Sequence, residues 1–197
     1  MIYPPRPETR VSLNQLPLFE KLGFFAQVKL NGSRCVVILQ KDSVQVYNRH
    51  RELMTLTPDA DLHSLYTGTG TMILDGECLN KSQAADIEIG RAFCIFDVLM
   101  CDSEELLGTS AYHRQMMLDQ LWPEADSGYL TQIQHNIYRV NRFETGFTKI
   151  YKEVTQVPVY EGLVMKNPAG KLMPMITENN NSSWQVKCRK PSKMYKQ

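Results

Sequence analysis

Apolar residues fall in short, dense runs along this chain, rich in β-branched and aromatic types and punctuated by Gly, Asn, Asp and Pro. The runs at 24–30, 34–40 and 44–48 predict three strands joined by tight turns. "TMILDGECLN" and "RAFCIFDVLM" predict two more, separated by the polar segment "KSQAADIEIG". Helical spacing is rarer. "SAYHRQMMLDQLW" carries apolar residues at Met116, Met117, Leu118, Leu121 and Trp122, and Pro123 stops it. "LNQLPLFEKLG" predicts a short helix ending at Gly23, and "ETGFTKIYKEVTQ" a second full one. "YLTQIQHNIYRV" alternates as a single strand would, and "EGLVMKNP" and "WQVKCRK" predict strands on either side of the polar turn "TENNNSS". The start, "YPPRPET", is an extended arm stiffened by proline. No repeat or linker divides the chain. The expectation is one α+β domain over 1–197, dominated by antiparallel strands, with an N-terminal arm (1–23) and a basic tail (191–197).

One position breaks the apolar pattern. In "AQVKLNGSR", Lys29 stands between a β-prone run and a stronger one, just before the turn composition Leu30-Asn31-Gly32. A lysine at the lip of a buried hairpin loses hydration, which costs free energy unless something anionic meets it there. Other strands also carry charge near their ends: Asp75 and Glu77 in "LDGE", Asp97 in "FDVL", Glu161 and Lys166 in "EGLVMK", then Lys187 and Arg189. Singly, each has an ordinary explanation as a turn, an edge guard or a solvated face. Together they describe a shared cleft, with cations for phosphate and carboxylates for a divalent metal and sugar hydroxyls.

Composition narrows the setting. The chain has 197 residues, enough for a real core, and a net charge of +1, so any surface for nucleic acid must be local. Its five cysteines include no C-x-x-C pair, which disfavours a disulfide framework or zinc knuckle and suits a reducing cytoplasm. The sequence contains neither a signal-peptide pattern nor an apolar run of membrane-spanning length. A cytoplasmic location, in a host cell if the source is viral, is the expectation.

The series "KLNG-S-R", "LDGE", "FDVL", "EGLVMK" and "WQVKCRK" resembles, in order and rough spacing, motifs I, III, IIIa, IV and V of the covalent nucleotidyltransferases. These are the ATP-dependent DNA ligases, RNA ligases and mRNA capping enzymes, and the resemblance runs from about residue 24 to 190. It implies two antiparallel β-sheets flanked by helices, with the nucleotide held between them. It also implies ATP as substrate, with magnesium or manganese. The chemistry accounts for the residue types. An amine attacks the α-phosphorus of ATP to give lysyl-AMP and must be neutral to do so, whereas free lysine has a pKa of about 10.4. Burial and neighbouring cations both favour the neutral form.

By this resemblance Lys29 is the nucleophile. Arg34 matches the basic residue that touches the ribose or substrate phosphate, and Glu77 the glutamate that binds a ribose hydroxyl or sits close to the metal. Phe96 matches the aromatic that stacks on the base, with plain core packing as the alternative. Glu161 matches the carboxylate near the metal, a hard oxygen ligand. Lys166 closes the same motif, although strict alternation puts it on the face opposite Glu161. Lys187 matches a lysine aimed at the α-phosphate, with Arg189 beside it. Arg49, in "YNRHRE", sits where ligases grip the 5′-phosphate of a nick, or is one member of a solvated charge run.

The departures from the pattern are specific. Asn31 replaces the usual aspartate of K-x-D-G, as in some phage-type ligases. Gln27 stands where many DNA ligases have a glutamate that reads the adenine amino group; its carbonyl accepts that bond, while its amide would serve a guanine carbonyl. The last motif reads Lys187-Cys188-Arg189-Lys190, with Trp184 one residue farther away than usual. Family members continue into an OB-fold; this chain ends seven residues after Lys190, so that part is absent, unnecessary or supplied by another subunit. The basic residues Lys187, Arg189, Lys190, Lys193 and Lys196, with Arg6, Arg10 and Arg49, would track a nucleic-acid backbone. The expected partner of this monomer is a nicked DNA duplex, favoured over RNA ends by "LDGE", "FDVL" and Arg114. A GTP-using guanylyltransferase and a binding remnant without turnover remain alternatives. The region before Phe24 is too short for the extra domain of NAD-dependent ligases.

Overall fold

The structure, a computed structural model, describes residues 4–54, 60–66, 68, 70–80, 91–125, 127–173 and 181–191. Its strands are β1 (Arg6–Arg10), β2 (Phe25–Leu30), β3 (Ser33–Gln40), β4 (Ser43–Asn48), β5 (Met72–Leu79), β6 (Ala92–Cys101), β7 (Glu104–Glu105), β8 (Leu130–Gln134), β9 (Ile137–Val140), β10 (Arg142–Phe143), β11 (Tyr160–Lys166) and β12 (Asn181–Arg189). Among the described residues three α-helices accompany them: α1 (Leu16–Lys21), α2 (Ala111–Leu121) and α3 (Phe147–Val154).

The strands form two sheets, of order β1-β12-β11-β2-β10 and β4-β3-β5-β6-β9-β8, with β7 pairing β6 off the second path. Most pairings are antiparallel, as expected, but each sheet holds one parallel pair, β1 with β12 and β6 with β9. The arm read as merely extended therefore closes the edge of the first sheet. "YLTQIQHNIYRV" is not one strand. It folds back between β8 and β9 at Asn136, whose φ of 57° makes the turn, so the alternation continues through a reversal.

Period-2 alternation sorts the two faces of each strand. Along β2, Ala26, Val28 and Leu30 enter a core shared with Leu163 and Met165 of β11, Val186 and Cys188 of β12, and Phe147, Ile150 and Val154 of α3. Gln27 and Lys29 therefore face the other way. On the second sheet a separate core gathers Val37, Leu39, Leu74, Phe93 and Ile95 against Leu118 of α2. The helices are pinned at their ends. Ser110 caps α2 by accepting from the His113 N–H at 3.1 Å, and the helix ends at extended Trp122, before Pro123. Glu20 of α1 accepts from the Phe147 N–H at 3.1 Å, setting a carboxylate at the start of α3.

Candidate active site

Between the sheets lies a cleft of about 750 Å³. Its floor is a lattice of three rows read across β2, β11 and β12: Lys29–Gly162–Arg189, Gln27–Val164–Lys187 and Phe25–Lys166–Gln185. Gly162 has a φ of +144°, and a Cβ there would sit 2.0 Å from the Cys188 carbonyl oxygen, so only glycine lets β11 and β12 close at this row. The pairing register slips between Tyr160 and Gly162. That bulge corrects the strict alternation of "EGLVMK": Glu161 and Lys166 both line the cleft, although an odd spacing separates them.

Lys29 Nζ lies 2.5 Å from Glu161 Oε2, and Arg189 approaches the other oxygen of the same carboxylate at 3.7 Å. This is the anionic partner that a lysine at the hairpin lip requires. Glu77 accepts from the Gly32 N–H at 3.0 Å. Burial pushes its carboxyl up to about 7, against the pull of Lys29 and Arg34. Lys166 is 4% exposed; burial lowers its ammonium to about 8, opposed by Asp97 and Asp75. Lys187, whose Nζ donates to Pro7 O at 3.2 Å, is also lowered, by burial and then by Lys29 and Arg189. Two lysines of the cleft, Lys166 and Lys187, are thus both lowered, by burial first and by neighbouring cations as well.

Phe96 projects into the cleft between two cations, with the Arg34 guanidinium 5.5 Å and Lys166 Nζ 5.3 Å from its ring. Arg34 is itself clamped: it donates to both oxygens of Asp75 at 2.9 and 2.5 Å and to Pro5 O at 2.9 Å. Asp97 is likewise committed, accepting from Arg114 at 2.9 and 3.0 Å in a buried bidentate pair. The acidic residues near the strand ends thus divide into two groups. Asp75 and Asp97 hold arginines, while Glu77 and Glu161 line the cleft. Among the described residues no three His, Cys, Asp or Glu side chains gather as a metal cage. Two carboxylates facing a cleft large enough for a nucleotide do suit magnesium, which takes one or two carboxylates together with substrate phosphate oxygens.

Lys29, Gln27, Arg34, Glu77, Phe96, Glu161, Lys166, Lys187, Arg189 and Arg49 therefore share one cleft. Lys190 does not line it; its Nζ donates to Val157 O at 3.4 Å, behind the floor. Lys193 and Lys196 lie outside the described residues. Strand alternation and motif spacing missed Asn48, His50 and Gln185 in the lining, and also Gln115, which is 1% exposed on α2 and bonded to Gln27. A second, open groove between α1 and α3 is lined by Lys21, Lys149, Lys152, Glu20 and Glu153, and its Lys149–Glu153 pair at 3.9 Å is an exposed i,i+4 contact along α3.

No family model matches the chain, and no curated protein sequence matches it. Solved structures do. The ligase domain of M. tuberculosis LigD superposes with a TM-score of 0.67 at 18% identity, over 95% of this chain and 59% of that one. A mycobacterial DNA ligase D complexed with ATP gives 0.65 at 16% identity, over 95% and 60%. An archaeal ATP-dependent RNA ligase gives 0.54 at 14%, over 94% and 48%. The chain thus spans less than two thirds of the length of these proteins. It has the fold that these ligase structures share over the superposed part.

Proposed function

We propose that this chain is the nucleotidyl-transferring part of an ATP-dependent polynucleotide ligase, with nicked DNA as its substrate and RNA ends as the second reading. The observation that carries it is the Lys29–Glu161 contact of 2.5 Å on a cleft floor otherwise crowded with cations. Lys29 Nζ attacks the α-phosphorus of ATP. A P–N bond forms, the bond to pyrophosphate breaks, and Glu161 is positioned to take the amine's proton. Lys187 and Arg189 lie alongside Lys29 in the floor lattice, where they offset charge that builds on the phosphoryl oxygens. A 5′-phosphate oxygen then attacks the same phosphorus and releases Lys29. Finally a 3′-hydroxyl attacks the adenylated 5′-phosphate, forming the phosphodiester and expelling AMP.

Glu161 and Glu77 are the residues that would hold magnesium, whose charge neutralises phosphate oxygens when bound. Phe96 offers its ring to the base, and the two cations beside it hold that ring in place. Arg49, at the cleft mouth, is the residue for the 5′-phosphate of the nick. The preference for ATP over GTP rests on Gln27. Both Nε2 protons are engaged, to Val140 O and Gln115 Oε1, so an acceptor remains for the base, and adenine carries the matching amino group. DNA is taken ahead of RNA on the resemblance of the motifs; the similar structures include both a mycobacterial DNA ligase D and an archaeal RNA ligase.

Sealing tests the proposal. The chain with ATP and magnesium should join a nicked DNA duplex faster than a nicked RNA duplex, and Lys29→Ala should join neither. Lys29→Ala should still seal a nick that is already adenylated, because that step does not use the amine. Faster joining of RNA would move the assignment to RNA ligase. Undiminished sealing by Lys29→Ala with ATP would refute it.

A further inference from the structure

Gln115 lies beneath the cleft on α2 and is absent from its lining, so it would be passed over as helix packing. The geometry points to Gln115 as a positioning residue that sets which purine the cleft accepts, by fixing the orientation of the Gln27 amide. This inference rests on the nucleotidyl-transfer reading above.

The direction of each hydrogen bond locks both amides. Gln115 Nε2 donates to Phe96 O at 3.0 Å, and Gln115 Oε1 accepts from Gln27 Nε2 at 3.3 Å. Gln27 Nε2 also donates to Val140 O at 3.1 Å. Both ends of this relay are main-chain carbonyls, which only accept. Turning the Gln115 amide over would set oxygen against the Phe96 carbonyl and N–H groups against those of Gln27. Turning Gln27 over would set its oxygen against both Val140 O and Gln115 Oε1. Neither reversal is tolerable where Gln27 is 2% and Gln115 1% exposed. What is left over is Gln27 Oε1, buried and without a partner, on a residue that lines the cleft floor. A buried orphan acceptor calls for a donor, and the 6-amino group of adenine is one. A 6-oxo purine would bring a lone pair against a lone pair. Phe96 supplies both the ring in the cleft and the carbonyl that anchors the relay, so stacking and edge recognition are set by one residue of β6.

Gln115→Met keeps the side chain's length and removes both of its hydrogen bonds. Gln115→Glu keeps the acceptor that faces Gln27 and, because burial favours its protonated form, an O–H donor for the Phe96 carbonyl. Parent and variant chains are titrated with ATP and with ITP, a 6-oxo analogue, by calorimetry in chelator, and then labelled with the same nucleotides in magnesium. The parent should prefer ATP by about 100-fold or more. Gln115→Met should reduce that ratio about tenfold in both Kd and labelling rate, the cost of one lost orienting bond. Gln115→Glu should stay near the parent ratio. A purely structural role would weaken both nucleotides equally; an unchanged ratio in Gln115→Met, or a parent that does not discriminate, overturns the assignment while leaving lysyl transfer standing. Failure of the parent to bind or label with either nucleotide overturns both together.

Discussion

Glu77 should make this protein less stable as the pH rises toward neutrality, and Glu77→Gln should abolish that loss. The carboxyl projects from β5 into the cleft beside the β2–β3 turn, where burial raises it from its ordinary 4.5 to about 7 despite Lys29, Arg34 and the Gly32 N–H. In the unfolded chain it ionises near 4.5; in the folded one it holds its proton until about 7. Between those values the folded state binds more protons, so stability is highest below about 4.5 and falls until about 7. At 1.36 kcal/mol per pH unit, the full loss is about 3 kcal/mol. Gln keeps an acceptor for the Gly32 N–H and has no charge to desolvate. Urea unfolding of parent and variant at intervals from pH 4.5 to 8 reads the effect directly. The two should be similar at the acid end, and the variant should be more stable by about 3 kcal/mol at the alkaline end. A constant difference across the range would refute the argument, since it would mean that Glu77 ionises in the folded state as it does in water.

Further expectations follow from the same physics with other signs. Lys166, lowered to about 8 by burial, disfavours folding while charged, so the parent should gain stability relative to Lys166→Met as the pH rises from about 8 to 10.5; denaturant midpoints across that window check it. Asp97→Asn leaves the buried Arg114 charge without its bidentate partner and should cost about 3–5 kcal/mol in equilibrium unfolding. The double change Asp97→Leu with Arg114→Met should recover most of that. Gly162→Ala forces a side chain into a φ of +144° and against the Cys188 carbonyl, and should cost more than about 3 kcal/mol in thermal unfolding, with a matching loss of label at Lys29.

Much of the site was legible because alternation is a strong rule inside a strand. Gln27 and Lys29 face away from Ala26, Val28 and Leu30, and Lys187 and Arg189 face away from Val186 and Cys188, as their spacing requires. Lys166 was harder. The bulge beside Gly162 shifts the register by one residue, and nothing in "EGLVMK" announces it except the glycine itself. The parallel pairing of β1 with β12 was hidden for a different reason, since it joins the two ends of the chain and leaves no local turn to read. Gln115 was hidden by composition. The α2 face turned inward carries Ala111, Arg114, Gln115 and Leu118, and a buried polar pair on a helix has the same spacing as a solvated one. The carboxylates were legible as a set but not in their division of labour. Only the partners show that Asp75 and Asp97 clamp arginines while Glu77 and Glu161 remain in the cleft.

The central claim is that Lys29 becomes covalently nucleotidylated. The chain is incubated with α-labelled ATP and magnesium, and the labelled peptide is located by mass spectrometry, with Lys29→Ala in parallel. One acid-labile AMP is expected on Lys29 and none on the variant. AMP attached elsewhere, or label that survives in Lys29→Ala, would contradict it.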